Sequence, residues 1–272
     1  MFKPLVKMMA MRWLQTFLLM ALISPNGGQP CLAQSTTVQA SAAQSKTFIV
    51  GVTGQNYYPQ FSYENDVYSG YARELLDAFA KHHGYTFVYK AIPVSNVFSD
   101  FLNEISYLDF KYPDNPHWNA AMKEGLSIQY SDPVAGRTDG VIVKRENSGR
   151  SIDALQRMGT IRGFTPYEYL HLIDEKKIHW VEVDNVVDLL QWVIDNKIDG
   201  AYVNIAVANY HLLMQANNPQ ALFFDTDLPY SRGYYYLSSI KHPTIIEQIN
   251  QFLATNTGMV QQLRKIYKLE TE

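Results

Sequence analysis

Tyr57, Tyr58 and Phe61 crowd one short segment just after a continuous apolar run, Phe48–Val52, that breaks at Gly54. Aromatic faces offer stacking or cation–π contacts worth on the order of 0.5–2 kcal/mol each, and tyrosine adds a hydroxyl for hydrogen bonding. In an open α/β sheet, the loop leaving the carboxyl end of a strand is where ligands sit. These three rings are therefore candidate pocket walls; the alternative is that they cap the core. A second group is Arg162-Gly163-Phe164-Thr165-Pro166. Thr165 there would cap a helix whose free N–H groups and dipole suit a carboxylate, with Arg162 adding charge. The alternatives are an ordinary cap and a solvated arginine. A third group is Lys111-Tyr112-Pro113-Asp114-Asn115-Pro116-His117-Trp118. Its two prolines and two large rings read either as a rigid cleft wall or as a surface loop pinned by Trp118.

Catalytic patterns are missing. The chain has no G-x-S-x-G, no H-E-x-x-H and no phosphate loop. His82 and His83 are adjacent, not spaced to share a helix face, and no cysteine supports a zinc site. Neither a metal nor a cofactor is expected.

The elements that would position these groups follow from periodicity. Ala72, Leu75, Leu76 and Phe79 predict a helix over Tyr71–His82, and Tyr85–Ala91 reads as a strand. Strand, helix and strand in this order imply a parallel sheet. A weaker helix is expected over Val97–Ile105. A second α/β unit opens after the strand Gly140–Lys144, with a short helix from Ser151, a strand at Thr160–Arg162 and a helix through Leu172. Val186, Leu189, Leu190 and Val193 stripe another helix, and Gly200–Val203 is a strand. Tyr234–Leu237 returns toward the first unit, followed by helices over Ile245–Leu253 and Met259–Tyr267.

Composition narrows the class. Of 272 residues, 47% are hydrophobic and 18% charged, which predicts a folded body. The net charge of -3 without a basic cluster argues against nucleic acid as a partner. Lys3, Lys7 and Arg12 precede an apolar run, Trp13–Ile23, of signal-peptide length. Cleavage after Ala33 is preferred, with Ala42 a second possibility. Residues 34–46 are then expected as a disordered polar tail. Removing those three cations from 23 leaves 20 against 26 anions. Cys31 is the lone cysteine, and Gly28-Gln29-Pro30 before it does not suit lipidation. The mature chain is expected to fold without disulfides, as a monomer outside the cytoplasm.

The run from Phe48 to Tyr71 resembles the opening of bacterial extracellular solute-binding proteins of family 3, the amino-acid type served by ABC transporters. The likeness extends to Gly163–Leu170, against G-x-T-x-x-E-Y-L, and to Ser131-Asp132-Pro133. It covers most of the chain from Phe48 onward. It implies an α/β fold, periplasmic-binding-protein-like type II: two lobes joined by two crossing strands with a ligand cleft between them. Residues 47–139 with 234–272 would form lobe 1 and residues 140–233 lobe 2. A small solute would be captured by lobe closure and passed to a membrane permease or receptor. Two departures matter. Such proteins carry S-x-T-x-x-R between the positions of Asp109 and Ser131 to grip an α-carboxylate, but no arginine occurs from Phe101 to Gly136. Lys111 offers a point charge in its place. An aspartate that holds the ligand's ammonium is replaced by Asn204. Both changes weaken an ordinary α-amino acid as ligand. Periplasmic cyclohexadienyl and arogenate dehydratases share the fold, and Glu168 or Asp114 would be the acid in that alternative.

Overall fold

The computed structural model describes residues 45–103, 106–215 and 220–269. The proposed signal segment, its cleavage positions, Cys31 and most of the expected tail lie outside them. The tail's last residue, Lys46, already belongs to a strand.

That strand, β1 (Lys46–Thr53), leads into a small antiparallel meander of β2 (Asn56–Tyr57), β3 (Phe61–Glu64) and β4 (Val67–Ser69). The segment expected as a loop is thus partly ordered as strands. The helix α1 (Tyr71–His82) follows, burying Leu75, Leu76 and Phe79 as its periodicity requires. Gly70 enters it at φ +100°, where a Cβ would meet the Phe61 Cα at 2.9 Å. Only glycine fits there.

β5 (Tyr85–Ile92) pairs in parallel with β1 along its whole length. The next helix, α2 (Val94–Leu102), starts three residues earlier than its apolar pattern suggested, directly after Pro93. β6 (Phe110–Asp114) is a fully buried strand beside β1. The expected wall or surface loop at Lys111–Trp118 is therefore, over its first half, a strand inside the sheet. α3 (Ala120–Lys123) and β7 (Gln129–Tyr130) precede β8 (Ala135–Lys144), which begins five residues before the expected strand.

β9 (Arg157–Ile161) is followed by a three-residue 3-10 turn, Tyr167–Tyr169, and then α4 (Leu170–Asp174). β10 (His179–Val183), α5 (Val186–Ile194) and β11 (Gly200–Asn204) complete a second parallel set. α6 (Ile205–Gln215) reads IAVANYHLLMQ and has no single apolar stripe, so periodicity does not reveal it. β12 (Leu222–Phe224), β13 (Ser231–Ser239), α7 (Pro243–Thr255) and α8 (Thr257–Ile266) end the described chain.

The main sheet runs β10-β9-β11-β8-β13-β6-β1-β5. Its centre is antiparallel, with β8 beside β13, and each flank is a parallel triplet. β8 and β13 are thus the two long strands that cross between the flanks. The α1 and α7 faces cover the first flank through Phe79 and Phe252, whose rings lie 5.7 Å apart. Tyr71 ties this flank to the entry of β8 through a hydrogen bond from its hydroxyl to the Val134 carbonyl, 2.9 Å.

Candidate ligand cleft

A cavity of about 120 Å³ opens where the two parallel triplets face each other. One wall comes from Tyr57, Phe61, Phe98, Lys111 and Trp118. The opposite wall is Gly163, Phe164, Thr165 and Tyr202, and the crossing strands supply Arg137, Asp139 and Tyr235 as a floor.

Tyr57 joins the walls. Its hydroxyl accepts a hydrogen bond from the Asn204 backbone N–H at 3.1 Å, and its ring meets Phe164 edge-on at 5.2 Å. The side chain is buried, and burial pushes its phenol well above the usual range. A second contact lies at Gly163, φ +83°, where a Cβ would stand 2.9 Å from Val94 Cγ1. Glycine at that turn lets the walls meet.

The charges are arranged in two sets. Asp114 is fully buried and receives Lys123 Nζ at 2.9 Å, with Lys111 Nζ at 3.4 Å. Ser238 Oγ donates to the other Asp114 oxygen at 2.6 Å. Two ammonium groups therefore share one carboxylate. Lys111 also donates to the Pro113 carbonyl at 2.6 Å and sits 4.0 Å from the Phe98 ring centroid. Burial, with Lys123 adding repulsion against the pull of Asp114, brings Lys111 down to about 8. In the second set, Arg137 is ion-paired to one oxygen of Asp139, and Asn204 Nδ2 donates to the other at 3.1 Å. Burial still holds Asp139 above its ordinary value. The Thr53 hydroxyl, also at the cavity, is buried without a protein partner.

The structure brings Tyr57, Phe61, Lys111, Trp118, Gly163 and Thr165 together at one cavity. Three of the expected residues lie elsewhere. Tyr58 does not line the cavity; its ring packs 4.4 Å from Tyr210 and 5.8 Å from Tyr267. Successive residues of an extended segment point to opposite sides, so Tyr57 faces in and Tyr58 out. Arg162, past the buried end of β9, points outward with its side chain 61% exposed and is ion-paired to Glu182 and Asp184. Asn204 is behind the wall: its Oδ1 accepts from the N–H groups of Ala206 and Val207, so it caps α6. Thr165 keeps its place at the cavity but not its role. Its carbonyl accepts from the Tyr167 N–H, and the 3-10 turn behind it begins at Tyr167, after Pro166, with no side-chain cap. A three-residue turn has no helix dipole to offer.

The ion pair Arg137–Asp139 lies outside every motif singled out in the sequence. Its signal was present: two charges at i and i+2 share one face of a strand. Phe98, Phe164, Tyr202 and Tyr235 were also missed, as aromatic residues whose facing depends on packing. Among the described residues there is no cluster of three metal-ligating side chains, and no helix is long and apolar enough to cross a membrane.

No family model and no curated protein matches the chain. Its fold, however, is that of amino-acid-binding periplasmic proteins. The arginine-, lysine-, histidine-binding protein ArtJ of Geobacillus stearothermophilus superposes with a TM-score of 0.65 at 19% identity, over 84% of this chain and 97% of that one. A substrate-binding protein of an ABC uptake transporter from Streptococcus pneumoniae, solved with bound histidine, gives 0.64 at 16% identity, over 83% and 95%. An ancestral amino-acid-binding protein, AncCDT-1, a precursor of cyclohexadienyl dehydratase, gives 0.61 at 16% identity, over 82% and 96%. At such identities the likeness is one of fold.

Proposed function

We propose that the protein is an extracytoplasmic solute-binding protein that closes on a small molecule and presents it to a membrane permease of the ABC type or to a receptor. Lobe 1 would be residues 47–139 with 234–272 and lobe 2 residues 140–233, hinged on β8 and β13. The observation that carries this reading is the cavity itself, walled from both flanks of the sheet and bridged by Tyr57 and Asn204. The described residues pack as one unit, which fits lobes drawn together. A solute touching both walls stabilises the closed form over the open one, because only there do all its contacts exist together.

The geometry favours binding over turnover. Asp114 and Glu168 do not line the cavity: Asp114 is held by Lys123 and Ser238, and Glu168 accepts from the Tyr202 hydroxyl at 2.6 Å. Asp139, the one carboxylate in the lining, is tied to Arg137 and Asn204. A thermal-shift panel of amino acids, organic acids and amines, followed by small-angle scattering with the hits, tests the reading. Compaction on binding without chemical change in the solute supports it. Conversion of prephenate or arogenate would replace it with the dehydratase, and a scattering profile unmoved by every solute would refute it.

A further inference from the structure

We propose that the solute of this cleft is a small organic monoanion with an apolar or aromatic body, anchored by Lys111, and not a zwitterionic or cationic amino acid. The inference rests on the solute-binding reading above and names the ligand class for the same cavity.

The argument is one of charge balance in a buried place. Three charged side chains line the cavity: Lys111, Arg137 and Asp139. Arg137 and Asp139 neutralise each other, and both Asp139 oxygens are occupied, by Arg137 and by Asn204. That leaves Lys111. Its carboxylate partner Asp114 lies nearer to Lys123, at 2.9 Å against 3.4 Å, and these two are the charged groups set against it, from β6 and α3. The Lys111–Asp114–Lys123 group therefore carries one surplus positive charge, with all three residues buried. A buried charge without full compensation is costly, and the cavity is the open side from which compensation can come. A carboxylate placed there cancels the surplus. A zwitterion brings no net charge, and a cation adds to the imbalance.

The remaining lining describes the rest of the molecule. Phe98, Trp118, Tyr57, Phe164 and Tyr235 present rings, so the body of the solute meets apolar surface. Among the described residues of the lining, no carboxylate is free to receive an ammonium group. Thr53 Oγ1, buried and unpartnered at the cavity, supplies one hydroxyl toward the ligand.

The test uses four probes on the whole chain: 3-phenylpropionate, phenylalanine, phenethylamine and arginine. The first three share a ring and differ in their charged groups. Calorimetric titration at pH 7 is expected to show 3-phenylpropionate binding at least tenfold more tightly than the others. Because the anion requires the charged lysine, whose proton leaves at about 8, its affinity should fall roughly fivefold from pH 8 to pH 9. Lys111→Met should weaken it tenfold or more while melting no lower than the parent. The pH series needs no variant and stands if the substitution fails to fold. Tighter binding of phenylalanine, phenethylamine or arginine, no binding of 3-phenylpropionate, or an affinity flat from pH 7 to pH 9 overturns the ligand class. The solute-binding reading survives any of these if scattering shows compaction with some other solute.

Discussion

Replacing Lys111 by methionine should make the unliganded protein more stable, although it deletes a buried hydrogen-bonding group. Lowering a lysine from 10.5 to about 8 corresponds to about 3 kcal/mol spent on keeping the charge inside. Methionine removes that cost and keeps an unbranched apolar chain of similar length. Lost with the ammonium are its bond to the Pro113 carbonyl, worth about 1 kcal/mol net, and its contact with the Phe98 ring. Asp114 is not abandoned, since Lys123 and Ser238 remain on it. The balance is a gain of about 1–2 kcal/mol, or roughly 2–8 °C in melting temperature for a chain of this size. The sign with pH is fixed by the lowered value. The native state holds this proton less tightly than the unfolded chain, so the penalty is complete below about 8 and fades as pH rises toward 10.5. The advantage of the variant should shrink over the same interval. Urea denaturation of parent and variant at pH 7 and pH 10 measures it. Asp114→Asn is the companion: it strands two buried ammonium groups and should cost about 3–5 kcal/mol. A Lys111→Met protein less stable than its parent at pH 7, or an advantage unchanged at pH 10, would show that the surplus charge is compensated and that the reasoning fails.

Tyr57→Phe removes the acceptor for the Asn204 N–H only where the walls meet, because in an opened cleft both groups reach water. An unpaired buried donor costs about 1–3 kcal/mol, so solute affinity should drop about 5- to 150-fold with little change in the melting point of the free protein; calorimetry beside thermal denaturation separates the two. Arg162→Ala, at an exposed ion pair outside the cavity, should leave affinity within about twofold and stability within about 0.5 kcal/mol, as read by the same two measurements.

Much of the framework was legible in the chain. Periodicity placed α1, α5, α7 and α8, and strand, helix and strand in sequence implied the parallel pairing of β1 with β5, whereas β6 and β10 were not read as strands. α6 was not legible, since a helix that is apolar on several sides carries no stripe to count. Residue type also singled out Tyr57, Phe61, Lys111, Trp118 and Thr165, which line the cavity. Which way each one faces is a different matter. Tyr57 and Tyr58 are neighbours of the same type, yet one bridges the walls and the other packs on Tyr210. Arg162 and Arg137 are both strand-associated arginines, yet only the second reaches the cavity. Local sequence sets conformational preference and the spacing of side chains along an element. The partner of a charge, and whether water still reaches it, depend on residues distant in the chain. Asp139 meets Asn204, and Asp114 meets Ser238, only because β8, β11, β6 and β13 lie side by side in the sheet.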